Sequence, residues 1–215
     1  MQPTRIPLFP LNVVLLPGMP MPLHIFEPRY KLMIGRCLKE HLEFGMILAA
    51  ESGAPAIATA NAMAKIGCTA EIVQKIEKYP DGRMDILAEG RTPFALTQLV
   101  DEQPYYEGIV VYQPDDRLPQ NPEQETLLTG VFQKCHQALY GEAWVAERDA
   151  ESVQLAYRMA ARLPLDLSAK QALLETRSEG QRRQTLIAIM NELLPKLANN
   201  ERVRRRAGGN GHSLN

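Results

Sequence analysis

The residues that most often hold metals or attack substrates are few in this sequence and lie far apart. They are four histidines and three cysteines, namely His24, His41, His136, His212, Cys37, Cys68 and Cys135. An odd number of cysteines at wide spacing fits neither a disulfide framework nor the close cysteine pairs of a zinc site. We therefore predict reduced, mostly buried thiols, and neither a metal nor a cofactor.

Two neighbouring pairs could suggest nucleophilic catalysis, but each has a simpler interpretation. Ser168 could be activated by Lys170, yet Ser168 followed by Gln171 matches a capping box, in which the serine oxygen accepts from backbone amides at a helix start. Cys135 could use His136 as its base, but adjacent residues of a helix point in different directions and Cys135 falls on an apolar stripe. We predict no catalytic residues and no enzyme.

Charged residues also flank a proline at the start of the first predicted helix. Glu27 and Arg29 lie on either side of Pro28 and could form a charged recognition point. A carboxylate at a helix start is more commonly explained by the free amides and the positive end of the helix dipole. We favour a structural cap and an ion pair.

The segment Met19–Leu23 carries flexible apolar side chains, and its prolines prevent complete pairing with a neighbouring strand. Met19, Met21 and Leu23 alternate with prolines, which are confined to the edges, ends and bulges of sheets. Methionine suits contact with varied apolar partners, although packing in the core is the alternative. We hypothesise that an exposed apolar surface for binding polypeptide is formed by Met19, Met21, Leu23, Tyr79 and Met84.

The first half of the chain, which positions these residues, reads as short strands interrupted by one helix. The strand patterns are Ile6–Phe9, Val13–Leu16, Phe44–Ala49, Thr69–Glu77, Met84–Ala88, Phe94–Val100 and Tyr105–Tyr112. The helix runs from Pro28 to Glu40, where apolar residues recur at helical spacing. Pro80–Gly82 favours a tight turn, and Gly90 marks a further bend. Short, closely connected strands predict a small barrel or sandwich.

The second half of the chain reads as helices. Residues 113–122 contain three prolines and no periodicity, which marks a boundary between lobes. Capping-box patterns at Ser168 and Ser178 predict two of the later helix starts. The arginine-rich segment near 202–206 resembles a frayed tail. We predict a barrel lobe over 1–117, a helical bundle lobe over 118–200 and a flexible basic tail over 201–215.

Composition limits the classes of protein that remain. The 215 residues are 45% hydrophobic and 23% charged, as in an ordinary globular protein. A net charge of −1 gives no general attraction to polyanions, which weakens a nucleic-acid interpretation. The proline-broken start is no signal peptide, and no stretch approaches a membrane span. We expect a cytoplasmic protein.

Two long segments carry a family resemblance. Leu8–Gly18 reads LFPLNVVLLPG and Pro22–Tyr30 reads PLHIFEPRY. Together they closely resemble the opening of the amino-terminal, substrate-recognition domain of Lon proteases. Agreement in order and spacing continues at Gly67–Ala70, Pro80–Arg83, Gly90–Phe94, Leu163–Leu165 and Lys170–Glu175. The resemblance covers roughly Ile6 to Leu197. It implies an α+β fold, with a PUA-like β-barrel lobe followed by an α-helical bundle lobe, and capture of unfolded or degron-bearing polypeptides.

The chain differs from a full Lon protease in one informative respect. The 215 residues contain no Gly-x-x-x-x-Gly-Lys-Ser/Thr loop to hold nucleotide phosphates, and they end before a serine–lysine protease domain would begin. We therefore expect a stand-alone, non-catalytic polypeptide-binding module that acts as an adaptor or a holdase. The alternative is an RNA-binding protein, suggested by the barrel's relationship to the PUA fold and by the arginine-rich tail. Oligomeric state is left open.

Overall fold

The structure is a computed structural model that describes residues 2–49, 63–116, 121–144 and 154–208. Strands and a single helix fill the first half, and helices follow. The strands are β1 (Thr4–Leu11), β2 (Pro20–Ile25), β3 (Phe44–Leu48), β4 (Ile66–Lys78), β5 (Met84–Val100) and β6 (Glu107–Tyr112). The helices are α1 (Pro28–Glu40), α2 (Pro122–Tyr140), α3 (Leu155–Ala161), α4 (Leu167–Glu175) and α5 (Glu179–Gly208). The predicted α+β class, and the bounds predicted for the first helix, are confirmed.

The strands close into a barrel. They form one sheet in the order β2, β5, β4, β3, β1 and β6, and β6 pairs a second time with β5. This second pairing closes the five strands other than β2 into a ring. β2 remains as an additional strand along the first half of β5.

Strand β5 makes this closure possible because it is long and uninterrupted. We predicted two strands separated by a bend at Gly90, and this was wrong: the strand has 17 residues. Gly90 instead allows another segment to cross closely, since its amide donates to the Met19 oxygen at 3.0 Å and its oxygen accepts from the Gly18 amide at 2.8 Å. A Cβ atom at Gly90 would lie 2.2 Å from the Leu16 oxygen.

The segment that crosses β5 at Gly90 includes Leu16, Gly18 and Met19. The strand that we predicted over Val13–Leu16 does not form. β1 ends at Leu11, and no regular strand forms again until Pro20. Val14, Leu15 and Leu16 are all buried in succession, whereas successive residues of a strand point to opposite faces. An irregular backbone lets the three side chains enter the core together.

One hydrophobic core extends through both parts of the molecule. It includes Phe9, Ile34 and Phe44 near the barrel and continues to Phe132, Met159 and Leu186 in the helices. A smaller cluster around Phe94 fills the barrel interior. Cys37, Cys68 and Cys135 are free and buried, which confirms the predicted state of the thiols.

Of the two helix starts predicted from capping boxes, one lies two residues earlier than predicted and the other is correct. The cap of α4 is Asp166, whose side chain accepts from the Ala169 amide at 2.7 Å. Ser168, which we predicted as the cap, lies inside the helix and donates to Asp166 Oδ1 at 2.7 Å. Asp166 takes the capping position in preference to Ser168 because its charged carboxylate is the stronger hydrogen-bond acceptor. Ser178 is placed as predicted, with its hydroxyl oxygen 3.4 Å from the Gln181 amide.

The last helix is longer than the sequence suggested. α5 continues to Gly208, so residues 201–208 are helical where we predicted the start of a flexible tail. Arginine is a good helix former, and positive charge near a helix carboxyl end is favourable. The predicted boundary at 117/118 and residues 209–215 lie outside the described residues, so the division into domains stays a prediction. In the described part of the chain, no helix has the length and apolarity needed to cross a membrane.

Candidate functional site

The two segments predicted to form a binding surface lie side by side in the sheet. β2 pairs antiparallel with the first half of β5, with Leu23 opposite Ile86 and Ile25 opposite Met84. The β4–β5 turn, which follows Tyr79, therefore lies beside the end of β2. The sheet brings together residues that are some sixty positions apart in the sequence.

The predicted residues differ in how far they reach the surface. Met84 is 7% exposed and belongs to the core, because it shares a face of β5 with the buried Ile86 and Ala88. Met84 therefore does not line an exposed surface, contrary to the prediction. The other four predicted side chains are half-buried, namely Met19, Met21, Leu23 and Tyr79. Of these, the three on or next to β2 pack against the edge of the core, namely Met19, Met21 and Leu23.

An aromatic cluster that we did not predict completes this surface. The Phe26 side chain is 57% exposed and stacks on His24, with ring centres 5.9 Å apart. His24 in turn meets the edge of Tyr79 at 6.1 Å. We call His24, Phe26 and Tyr79 the aromatic platform. Phe26 stands between a strand and a helix, where hydrophobic periodicity gives no signal of exposure.

A carboxylate fixes the aromatic platform to the sheet. His24 Nδ1 lies 2.5 Å from Asp85 Oδ1, and the Tyr79 hydroxyl donates to Asp85 Oδ2 at 2.8 Å. The hydrogen bond with His24, followed by that from Tyr79, lowers the pKa of Asp85 below its ordinary value. Accepting the same bond, Asp85 raises the pKa of Tyr79 to about 12. Asp85 therefore remains a charged acceptor that holds both rings in place.

The turn between β4 and β5 is tied to the first helix. Gly82 adopts a φ of 82°, which glycine tolerates, and its amide donates to the Tyr79 oxygen at 3.0 Å. Lys31 on α1 donates to the Asp81 oxygen at 3.0 Å. The Arg83 guanidinium lies 5.3 Å from the centre of the Tyr79 ring. These contacts confirm the predicted turn and hold it beside the aromatic platform.

Beyond the barrel, β4 continues as an exposed strand with two β-bulges. Only its residues 68–70 pair with β3, so within the described residues the outer edge of Glu71–Lys78 has no neighbouring strand. Along this outer stretch the register with β5 slips at two points, where Val73 and Ile76 are the extra residues; a further slip lies between Cys68 and Ala70. Both side chains are apolar and exposed. Bulges commonly redirect a side chain, and here they present two apolar groups to solvent.

The other candidate sites are occupied by structural contacts. Cys135 Sγ faces the Met190 oxygen at 3.7 Å, whereas His136 Nδ1 lies 3.1 Å from the Glu142 oxygen. The two side chains thus have different partners. Arg29 donates to Glu27 at 2.9 Å, which confirms the predicted ion pair, but the Glu27 side chain makes no capping bond. Among the described residues, no three potential ligands gather to hold a metal.

A closed barrel is followed by helices that share its hydrophobic core, and half-buried apolar side chains lie along β2. The protein-family model that describes the ATP-dependent protease La (LON) substrate-binding domain matches residues 5–192 of this chain. The chain belongs to this family, as the resemblance in the sequence predicted.

Full-length relatives and solved structures agree with this assignment. The chain is 27% identical to Lon protease of Escherichia coli (strain K12), over 94% of this chain and 26% of that protein. It is 26% identical to Lon protease of Azorhizobium caulinodans, over 93% of this chain and 24% of that protein. The chain therefore spans about a quarter of the length of these relatives.

Two solved structures share the fold. A Lon N-terminal domain protein from Xanthomonas campestris superposes with a TM-score of 0.64 at 25% identity, over 86% of this chain and 98% of that one. The N-terminal domain of Mycobacterium avium complex Lon protease gives a TM-score of 0.62 at 17% identity, over 87% and 98%.

Proposed function

We propose that this protein binds unfolded or degron-bearing segments of polypeptide without catalysing a reaction on them, and that it acts as an adaptor or holdase. Membership of a substrate-binding family supports binding as the role. The relatives are proteases, whose substrates are polypeptides. We further propose a cytoplasmic location, where buried thiols such as Cys68 stay reduced.

The observation that carries the proposal is the exposure of Phe26 beside the half-buried side chains of β2. A partner that covered the exposed Phe26 ring would gain free energy, because full burial of such a side chain contributes about 1.5–3 kcal/mol. Met21 and Leu23 extend the apolar area along the same strand, and methionine adapts to ligands of different shape. Unfolded polypeptides expose varied apolar side chains, which such a surface suits.

The residues divide into two roles in this proposal. The ligand would contact Met19, Met21, Leu23, Phe26 and Tyr79. Met84 pairs with Ile25 of β2 and belongs to the core, so its role would be to support these residues. Asp85 orients the platform through His24 and Tyr79.

The test compares two matched substitutions of exposed apolar residues. Phe26→Ser removes the platform's most exposed ring, whereas Leu127→Ser removes a side chain of similar exposure, 55%, from α2. Binding of a reduced, carboxymethylated, permanently unfolded protein is measured by fluorescence anisotropy. We expect Phe26→Ser to weaken binding by about tenfold or more and Leu127→Ser to leave it unchanged.

Two results would count against the proposal. Equal affinity of wild type and Phe26→Ser would exclude the aromatic platform as the binding surface. Tighter binding of single-stranded RNA than of unfolded protein, with a steep loss of affinity in added salt, would favour the RNA alternative. Melting temperatures of both variants should stay near that of the wild type, because both side chains are exposed.

A further inference from the structure

A cavity of about 500 Å³ is lined by residues of the barrel and α1, none of which belongs to the aromatic platform. It opens between the start of β1, the loop after α1 and the end of β6. Its size falls in the range of about 300–1,000 Å³ that is typical of small-molecule sites. The cavity is lined by polar and charged groups, among them Thr4, Arg5, Arg36, Glu43, Thr92 and Tyr112.

Both arginines of the cavity are already neutralised. Arg5 binds Glu107 at 2.5 Å and Glu102 at 2.9 Å. Arg36 binds Glu107 at 2.8 Å and Glu40 at 3.1 Å. The shared partner, Glu107, is almost fully buried between them. Neither guanidinium is therefore left to attract an anion.

Glu43 is the carboxylate lining the cavity that has no ion-pair partner among the described residues. Within the described part of the chain, it forms no ion pair with any arginine or lysine. The charged side chains that line the cavity are Arg5, Arg36, Glu40 and Glu43. Arg5, Arg36 and Glu40 are held in ion pairs, so among the described residues the charge left for a ligand is the carboxylate of Glu43, which favours a cation.

Other groups that line the cavity suit contact with a cation. Tyr112 presents an aromatic ring, whose face attracts cations. Burial, and then the nearby charge of Glu43, raises the pKa of Tyr112, so its hydroxyl stays protonated near neutral pH. The hydroxyl oxygens of Thr4 and Thr92 can accept hydrogen bonds from an ammonium group.

We propose that this cavity binds a cationic side chain or small amine, with Glu43 pairing with its ammonium or guanidinium group and Tyr112 covering the charge. The ligand is a lysine or arginine side chain of a polypeptide, or a free alkylamine of the same chemistry. This site is separate from the aromatic platform, so it does not depend on the proposed binding of apolar segments.

The test is a nuclear magnetic resonance titration of the whole chain with four small probes. N-acetyl-lysine methylamide carries the cation, N-acetyl-norleucine methylamide lacks it, butylamine supplies a free amine, and acetate supplies an anion. We expect saturable shifts of the Thr4, Glu43, Thr92 and Tyr112 amides with the lysine probe and none with the norleucine probe or acetate. Stronger binding of the lysine probe than of butylamine would assign the site to polypeptides, and the reverse to free amines.

Two variants make the result specific. Glu43→Gln should weaken binding of the lysine probe by about tenfold or more, the effect of losing a charge-assisted pair. Glu71→Gln removes the same charge from an exposed residue outside the cavity and should bind like the wild type. Absence of saturable shifts, equal binding by Glu43→Gln, or a preference for acetate would each overturn the proposal. Loss of binding to unfolded protein by Phe26→Ser would leave this result unaffected, so the two proposals fail separately.

Discussion

The guanidinium of Arg182 lies 4.0 Å above the centre of the Tyr157 ring, and both side chains are buried. The same guanidinium binds Asp115, which follows the barrel, and Glu179 at the start of α5, the latter at 2.8 Å. It also donates to the Thr176 oxygen at 2.5 Å. Arg182 thus connects the end of the barrel lobe to α3 and α5 through one buried charge.

Replacement of Arg182 should destabilise the protein strongly. Arg182→Ala leaves Asp115 in a largely buried site without its cation, although Glu179 keeps its pair with Arg183, and the loss costs about 3–5 kcal/mol of unfolding free energy. Chemical denaturation followed by circular dichroism measures this loss. Arg177 offers a matched control, because it forms a similar pair at 3.1 Å with Asp116, the residue after Asp115, but is exposed to solvent. Arg177→Ala should change stability by about 1 kcal/mol or less, and equal losses in the two variants would contradict the prediction.

Two glycine-to-alanine substitutions should have opposite effects. At Gly90 the new methyl group would clash with the Leu16 oxygen, so the crossing segment must move, at a cost of about 1–3 kcal/mol. At Gly35, inside α1, no atom lies within 4 Å of the new methyl group, and stability should rise by about 0.5–1 kcal/mol. Thermal unfolding of both variants compares them with the wild type. A Gly90→Ala protein as stable as Gly35→Ala would show that the crossing is not closely packed.

The buried thiols should react only after unfolding. Burial raises the pKa of Cys37 to about 11, and burial likewise raises the pKa of Cys68 and of Cys135. The thiolate is the reactive form, so little of it exists at pH 8. A chromogenic disulfide reagent should modify the folded protein very slowly and the unfolded protein rapidly, at all three cysteines. Rapid modification of one thiol in the folded protein would contradict the burial of that residue.

The cap of α4 should contribute stability that depends on pH. The Ala169 amide, followed by the Ser168 hydroxyl, lowers the pKa of Asp166 below its ordinary 3.8. A lowered pKa stabilises the folded protein above the ordinary value, and this contribution is lost as pH falls through the lowered one. Asp166→Ala should therefore lower the melting temperature by about 2–4 °C at pH 7 and by less in strong acid. Ser168→Ala should have the smaller effect, and the reverse order would restore Ser168 as the cap.

Features set by neighbouring residues were predictable from the sequence. The first helix follows Pro28 with apolar residues at helical spacing, and the Pro80–Gly82 turn has proline and glycine where the backbone requires them. The number and closeness of the short strands predicted a barrel or a sandwich, and the spacing of apolar residues predicted the later helices. The family resemblance added the choice of a barrel and the substrate-binding role, and the family match supports that role.

Features set by distant residues were not predictable in this way. Arg182 and Asp115 are 67 positions apart, and no local pattern indicates that an arginine is fully buried. The long β5 depends on β2 and β4, which pair with opposite edges of its first half, and on β6, which pairs with its second half. Gly90 is therefore a point of crossing and not a bend. Met84 is buried because of its register with Ile25, whereas Phe26, the next residue along the chain from Ile25, is exposed.

The bulges of β4 at Val73 and Ile76 affect how readily copies of the protein can associate through this strand edge. An exposed strand edge with apolar side chains is a template on which further copies can stack into fibres. Val73 and Ile76 supply the apolar groups, yet each interrupts the regular backbone spacing that a stacking strand would need. Charged neighbours, including Lys75 and Glu77, add repulsion and hydration along the same edge. The molecule can therefore keep adhesive side chains in water while denying its own copies a continuous hydrogen-bonding partner.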